Sequence, residues 1–381
     1  MFKPTFDFIR GQFQTDEFIP LHAPVFIGKE KEYLVETIDS TFVSSVGPFV
    51  DRFEAEFAKV THTKKAVAVV NGTAALQVCL QLGGVEAGDE VIMQALTFIA
   101  TANAISYLNA HPVFVDVDID TMGLSPEKLN NFLQQHAVLK NGICFNKHTG
   151  RRIAACMPMH TFGFSVRIDE ISEICTHWNI ALIEDAAEAI GSEFKGKPLG
   201  SFGLLSAFSF NGNKTITSGG GGAIVSNDEQ LGLRAKHLTT TAKKPHSFEF
   251  IHDEIGYNFR MPNVNAALAL AQLEMLPEIL RNKRTLASEY AKFFSQQGIN
   301  FRNELPNTKS NFWLMCIQLQ NKEERDQFLK ESNALGIMSR PIWQLMFKMP
   351  MYANCQRDSQ ENALYLEERI VNIPSSYRHG K

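Results

Sequence analysis

Lys214 lies in Ser209-Phe210-Asn211-Gly212-Asn213-Lys214-Thr215, 29 positions after Asp185, which closes the apolar run Ala181-Leu182-Ile183-Glu184-Asp185. An apolar strand that delivers a carboxylate, then a Ser/Gly/Asn-rich loop with one amine, then the glycines Gly219 to Gly222, suits a pyridoxal phosphate site. Lys214 would form the Schiff base and Asp185 would face the pyridinium nitrogen. That nitrogen must stay protonated for the ring to act as an electron sink. A buried carboxylate favours the cation through a charge-assisted hydrogen bond worth roughly 1.5–3 kcal/mol. The amine must be a lysine, because a long flexible stem has to bond the aldehyde, be released and then carry protons.

A third anchor lies upstream, in Val67-Ala68-Val69-Val70-Asn71-Gly72-Thr73-Ala74-Ala75-Leu76. An apolar strand running through Asn-Gly-Thr into helix-forming residues points the N–H groups of Gly72, Thr73 and Ala74 out of a helix N-terminus, which is an anion site. Each feature alone has a plainer reading: a lysine in a polar loop is ordinarily solvated, and Glu-Asp at a strand end is often a helix cap. Their order along the chain, each at the end of a strand, favours the cofactor site.

The elements that must position these groups form a βα series. The runs Val67–Val70, Glu90–Met93, Val113–Val115, Ile153–Pro158 and Ile180–Glu184 read as strands. Phe49, Phe53, Phe57 and Val60 make one helix face, and helices follow from Thr73, near Thr97–Leu108 and from Ser125. A mostly parallel sheet with covered faces and ligand groups at strand ends is expected. After residue 262 the character changes to a long helical pattern (Asn265 to Arg284), a strand Phe312–Leu319, a helix Lys322–Leu335 and a loop Ser339 to Trp343. The expected organisation is therefore a large domain over residues 1–262 and a small α+β domain over 263–381.

Composition fits a metabolic enzyme: 381 residues, 44% hydrophobic and 20% charged, with a net charge of −4 that gives no nucleic-acid-binding signature. No segment has the apolar length of a membrane span, and Met1-Phe2-Lys3-Pro4-Thr5-Phe6-Asp7 lacks a signal peptide's apolar core. Six scattered cysteines read as reduced core residues of a cytoplasmic protein, and eleven histidines show no metal-ligand spacing.

The runs Val50-Asp51-Arg52-Phe53-Glu54, Asn71 to Leu76, Thr97-Phe98-Ile99-Ala100-Thr101-Ala102-Asn103, Glu184-Asp185-Ala186-Ala187, Gly200-Ser201-Phe202-Gly203, Ser209 to Lys214 and Gly256-Tyr257-Asn258-Phe259-Arg260-Met261-Pro262 resemble the DegT/DnrJ/EryC1 family of nucleotide-sugar aminotransferases. The resemblance extends from about Phe18 to about Ser376. It implies the α/β fold type I of pyridoxal phosphate enzymes, like aspartate aminotransferase. It also implies a homodimer with shared active sites and no membrane or nucleic-acid partner. Gly72, Thr73 and Ala74 match the phosphate turn, and Phe98 matches the ring that stacks on the cofactor. Asp185 matches the partner of the pyridine nitrogen, Ser209 a phosphate-binding hydroxyl, and Lys214 the Schiff-base lysine. Asn258 matches an amide that reaches the phosphate from the neighbouring subunit.

Glu188 departs from the Gln or His of many members, and a carboxylate there can face the cofactor's phenolic oxygen only if protonated or otherwise hydrogen-bonded. The Glu-containing form resembles a subgroup acting on UDP-linked 4-keto-6-deoxy N-acetylhexosamines. The expected reaction moves an amino group, with L-glutamate as donor, to the 4-keto group of a UDP-linked 2-acetamido-2,6-dideoxy-hexos-4-ulose. The product is a UDP-4-amino sugar for surface glycans. Lys243 is placed in a lid over the nucleotide sugar, and Arg260 and Arg340 are candidates for pyrophosphate or donor carboxylate. The alternatives are a dTDP- or GDP-linked 3- or 4-ketosugar, or a non-catalytic regulatory protein of the same fold. A dehydratase branch with His in place of the lysine is disfavoured by Lys214, and a desulfurase or lyase would need a reactive loop cysteine.

Overall fold

The computed structural model describes residues 2–380. Seven strands form the central sheet: β1 (Lys65–Val69), β2 (Glu90–Gln94), β3 (His111–Val115), β4 (Ile153–Cys156), β5 (Ala181–Asp185), β6 (Leu205–Ser209) and β7 (Gly222–Ser226). Their order is β1-β7-β6-β5-β4-β2-β3. From β6 through β3 neighbours are parallel, whereas β7 runs antiparallel to both β1 and β6. Every residue of β2 and β7 is buried, as expected for strands covered by helices on both faces. Strand β5 ends on Asp185 itself, which closes the apolar run of the sequence. The carboxylate therefore stands at the C-terminal edge of the sheet, where open α/β folds bind ligands.

A second sheet, β8 (Asn300–Phe301), β9 (Met315–Gln318), β10 (Arg340–Pro341) and β11 (Ile370–Ile373), is antiparallel in the order β8-β9-β11-β10. The single helical pattern read over Asn265 to Arg284 is two helices, Asn263–Glu274 and Leu276–Gln296. Pro277 lies in the first turn of the second. It has no N–H to give the preceding turn, and its ring clashes with a carbonyl four residues back, so the helix restarts.

The helix Asn263–Glu274 packs Ala266, Ala267 and Leu270 into the same apolar cluster as Phe49, Phe53 and Phe57. From Leu286 onward the long helix joins Met315, Ile317 and Val371 of the second sheet, together with Phe2 and, from the N-terminal helix Lys3–Phe13, Phe6 and Ile9. The expected boundary at 262/263 thus precedes the change of packing. We propose that the small unit begins near Leu286 and includes the N-terminal helix. No helix among the described residues is long and apolar enough to cross a membrane.

Candidate active site

At the end of β5 the side chains alternate between two polar environments, as strand geometry requires. Glu184 points into the protein, where its carboxylate accepts hydrogen bonds from His160 Nε2 at 3.0 Å and from the N–H groups of Gly200, Phe202 and Gly203 at 2.9, 2.7 and 2.6 Å. Burial pushes this carboxyl up, but His160 and the backbone donors outweigh it and hold it below the usual range. Asp185 points the other way, toward the cavity. Its Oδ2 accepts from Thr101 Oγ1 at 2.8 Å and its Oδ1 from the Ala187 N–H at 3.1 Å. Here burial prevails over those donors and over the field of Lys214, and the carboxyl is pushed above its usual range.

The turn after β1 is fixed by Asn71. Its extended backbone precedes the helix Gly72–Leu82, and its Oδ1 accepts the Ala74 N–H at 2.8 Å. The Ala74 N–H is therefore engaged in capping, so of the three groups expected to face an anion, Gly72 and Thr73 border the cavity and Ala74 does not. Gly72 is required by close approach, since a Cβ there would lie 2.8 Å from Ser209 Cβ. A Cβ on Gly222 would likewise lie 2.6 Å from the Asn71 carbonyl carbon, so β7 can begin directly against the turn.

Phe210 roots the lysine loop by meeting Phe53 and Phe57 edge to face at 5.4 and 5.3 Å. The loop then turns back on itself through the Lys214 N–H, which donates to Asn211 O at 3.0 Å. The Lys214 Nζ stands 3.1 Å from Glu188 Oε1 and 3.9 Å from the centre of the Trp313 ring. Glu188 Oε2 accepts the Phe162 N–H at 2.9 Å. Burial pushes the Glu188 carboxyl up to about 7, with Lys214 and the Phe162 N–H opposing it. Trp313 donates its indole N–H to Asn213 O at 2.6 Å, tying the ring to the lysine's own loop.

These groups line one cavity of about 590 Å³, which gathers Gly72, Thr73, Phe98, Asp185, Glu188, Ser209, Lys214 and Arg340. Asn258, Arg260 and Lys243 lie outside its lining. Asn258 Oδ1 accepts from Arg260 at 3.0 and 3.2 Å, and Lys243, in the exposed two-residue strand Lys243–Lys244, holds its Nζ 4.0 Å above the Phe250 ring. Trp313, Trp343 and Leu21 also line the cavity and were not assigned roles from sequence. Trp313 is remote from Lys214 along the chain, and no local spacing links them. Thr101 had a signal: it stands in the first turn of the helix Ile99–Tyr107, in a run already quoted for the resemblance.

Elsewhere, His237, Asp253 and Glu254 approach one another closely enough for a metal. Asp253 is already bonded to His237 at 2.8 Å and paired with Lys244 at 3.4 Å, while Glu254 is bonded to Arg234.

The cavity fits pyridoxal phosphate on three observations. A buried carboxyl whose protein partners are a hydroxyl and an N–H would meet the protonated ring nitrogen. A helix N-terminus whose first residue admits no Cβ, with Ser209 beside it, would hold the phosphate. Lys214 supplies an amine over the space between them. The profile of the DegT/DnrJ/EryC1/StrS aminotransferase family matches residues 26–379. GDP-perosamine synthase of Escherichia coli O157:H7 is 37% identical over 359 residues, covering 94% of this chain and 93% of its own length. The putative pyridoxal phosphate-dependent aminotransferase EpsN of Bacillus subtilis (strain 168) is 36% identical over 335 residues, covering 88% of this chain and 84% of its own. The crystal structure of the aminotransferase TlmJ from Streptoalloteichus hindustanus superposes with a TM-score of 0.85 at 25% identity, covering 94% of this chain and 93% of that one. The chain belongs to the DegT/DnrJ/EryC1/StrS aminotransferase family and is a pyridoxal phosphate-dependent sugar aminotransferase.

Proposed function

We propose that the chain transfers the amino group of an amino acid, L-glutamate, to the 4-keto group of a UDP-linked 2-acetamido-2,6-dideoxy-hexos-4-ulose, giving a UDP-4-amino sugar for surface glycans. The observation that carries amino transfer is the Lys214 amine, held between Glu188 and Trp313 in the cavity that also holds Asp185. Pyridoxal phosphate, when bound, supplies the electron sink that accepts the pair left as the donor's α-proton departs. Lys214 would hold the cofactor through its amine and, once that amine is free, would take the proton from the donor's α-carbon and return it. Asp185, whose two oxygens are fixed by Thr101 and the Ala187 N–H, would keep the ring nitrogen protonated. Gly72, Thr73 and Ser209, which line the cavity, would hold the phosphate, and Phe98 would cover the ring. Arg340, at the cavity wall, receives a carboxylate or pyrophosphate oxygen.

The nucleotide and the acetamido group rest on the motif set around Lys214. The aromatic and aliphatic wall of Trp313, Trp343 and Ile342 supports them, since it suits an acetamido methyl. A second reading, a GDP-linked ketosugar, is favoured by the GDP-perosamine synthases among the relatives. A second subunit would bring Asn258 to the phosphate, because within one chain that residue lies outside the cavity. The six free thiols suit the reducing cytoplasm. Comparing kcat/KM for UDP-, GDP- and dTDP-linked ketosugars tests the assignment. A site built to bond the acetamido group should discriminate against a sugar without it by a factor on the order of 10⁴. A clear preference for the GDP or dTDP substrate would replace the UDP assignment and leave the amino-transfer chemistry in place.

A further inference from the structure

Lys283, on the long helix Leu276–Gln296, is fully buried, and among the described residues it forms no ion pair. Its Nζ donates instead to two backbone carbonyls, Trp313 O at 3.2 Å and Ser375 O at 2.5 Å. The first carbonyl belongs to a residue that lines the cavity, and the second to a segment bonded to one that does. Trp313 presents its ring to the Lys214 amine, and the Ser375 N–H donates at 2.7 Å to the carbonyl of Leu21, another lining residue. An apolar side chain would pack in this place at no charge cost but would leave both carbonyls without a donor.

We propose that Lys283 is a positioning residue that sets the Trp313 indole beneath the Lys214 amine. The aromatic face favours the cationic form of that amine, so the platform's placement tunes how readily Lys214 takes and gives a proton. Burial pushes the Lys283 ammonium down to about 7. As a neutral amine it still has two N–H bonds, one for each carbonyl, and adds no second positive charge beside Lys214. The other charged or titratable groups facing Lys214 are Glu188, Asp185, His22 and Arg340; none is substituted, and the response of His22, which feels the Lys283 charge, is shared by both backgrounds of the cycle below and cancels between them.

The inference rests on Lys214 being the reactive amine. Turnover by the wild-type holoenzyme and its loss in Lys214→Ala report on that reading separately. The test of Lys283 is a double-mutant cycle on the full-length cofactor-free chain, with the pH dependence of Lys214 acetylation followed by mass spectrometry. In the wild-type background Lys283→Met should lower the labelling midpoint by at least about 0.5 pH unit, roughly threefold in proton affinity. In a Trp313→Leu background, where the ring is already gone, it should move the midpoint by less than about 0.2 unit. Equal shifts in the two backgrounds, no shift, or a rise would overturn the proposal; a rise is what loss of a neighbouring positive charge would give. If Lys283→Met does not fold, Lys283→Leu replaces it in the same cycle, with the same outcomes deciding.

Discussion

Lys214 and Glu188 meet at 3.1 Å with side chains 13% and 1% exposed, and the second oxygen of the same carboxylate takes the Phe162 N–H at 2.9 Å. Phe162 is buried with φ +56°, a left-handed conformation that a bulky residue adopts only when its surroundings impose it. Its ring packs on Trp343 at 4.8 Å. Glu188 therefore links the reactive amine to an aromatic wall of the cavity, and both of its oxygens serve as acceptors. A glutamine offers one oxygen and turns an N–H₂ group toward one of the two donors.

For Glu188→Gln the expected change is in pH dependence. Burial raises the folded-state value from 4.5 to about 7, so folding takes up a proton between those limits. Stability then falls as pH rises through that window, by on the order of a few kcal/mol at most. Urea unfolding of the cofactor-free wild type and variant from pH 4.5 to 8 should show the wild type losing stability relative to the variant. A constant difference across the window would rule this out.

Lys214→Ala should abolish turnover and covalent retention of the cofactor after borohydride treatment. The loop is held by Phe210 and backbone hydrogen bonds, so the melting temperature should stay within about 4 °C of wild type. Residual turnover near the wild-type rate would refute the assignment of Lys214.

Subunit sharing is tested by mixing. Inactive Lys214→Ala and inactive Asn258→Ala subunits should recover activity in hybrid dimers, where one of the two sites carries both native residues. Hybrids demonstrated by native mass spectrometry but without recovered activity would show that each Asn258 serves its own chain.

The sequence by itself determined the strand that ends in Asp185, the Asn71-Gly72-Thr73 turn and the loop carrying Lys214. Each is written in local chemistry: a continuous apolar run, an Asn that caps its own helix, and small residues where backbone approaches backbone. It overestimated the phosphate turn, because whether the Ala74 N–H is free depends on where the Asn71 side chain points. It also missed the break before Pro277, since apolar periodicity persists on both sides of it. Only the tertiary structure decided that Trp313 underlies Lys214, that Glu188 bridges Lys214 and Phe162, and that Lys283 is buried against the Trp313 carbonyl. Those contacts join residues far apart in the chain, and the packing of one sheet and helix layer against another brings them together, so no spacing along the sequence records them.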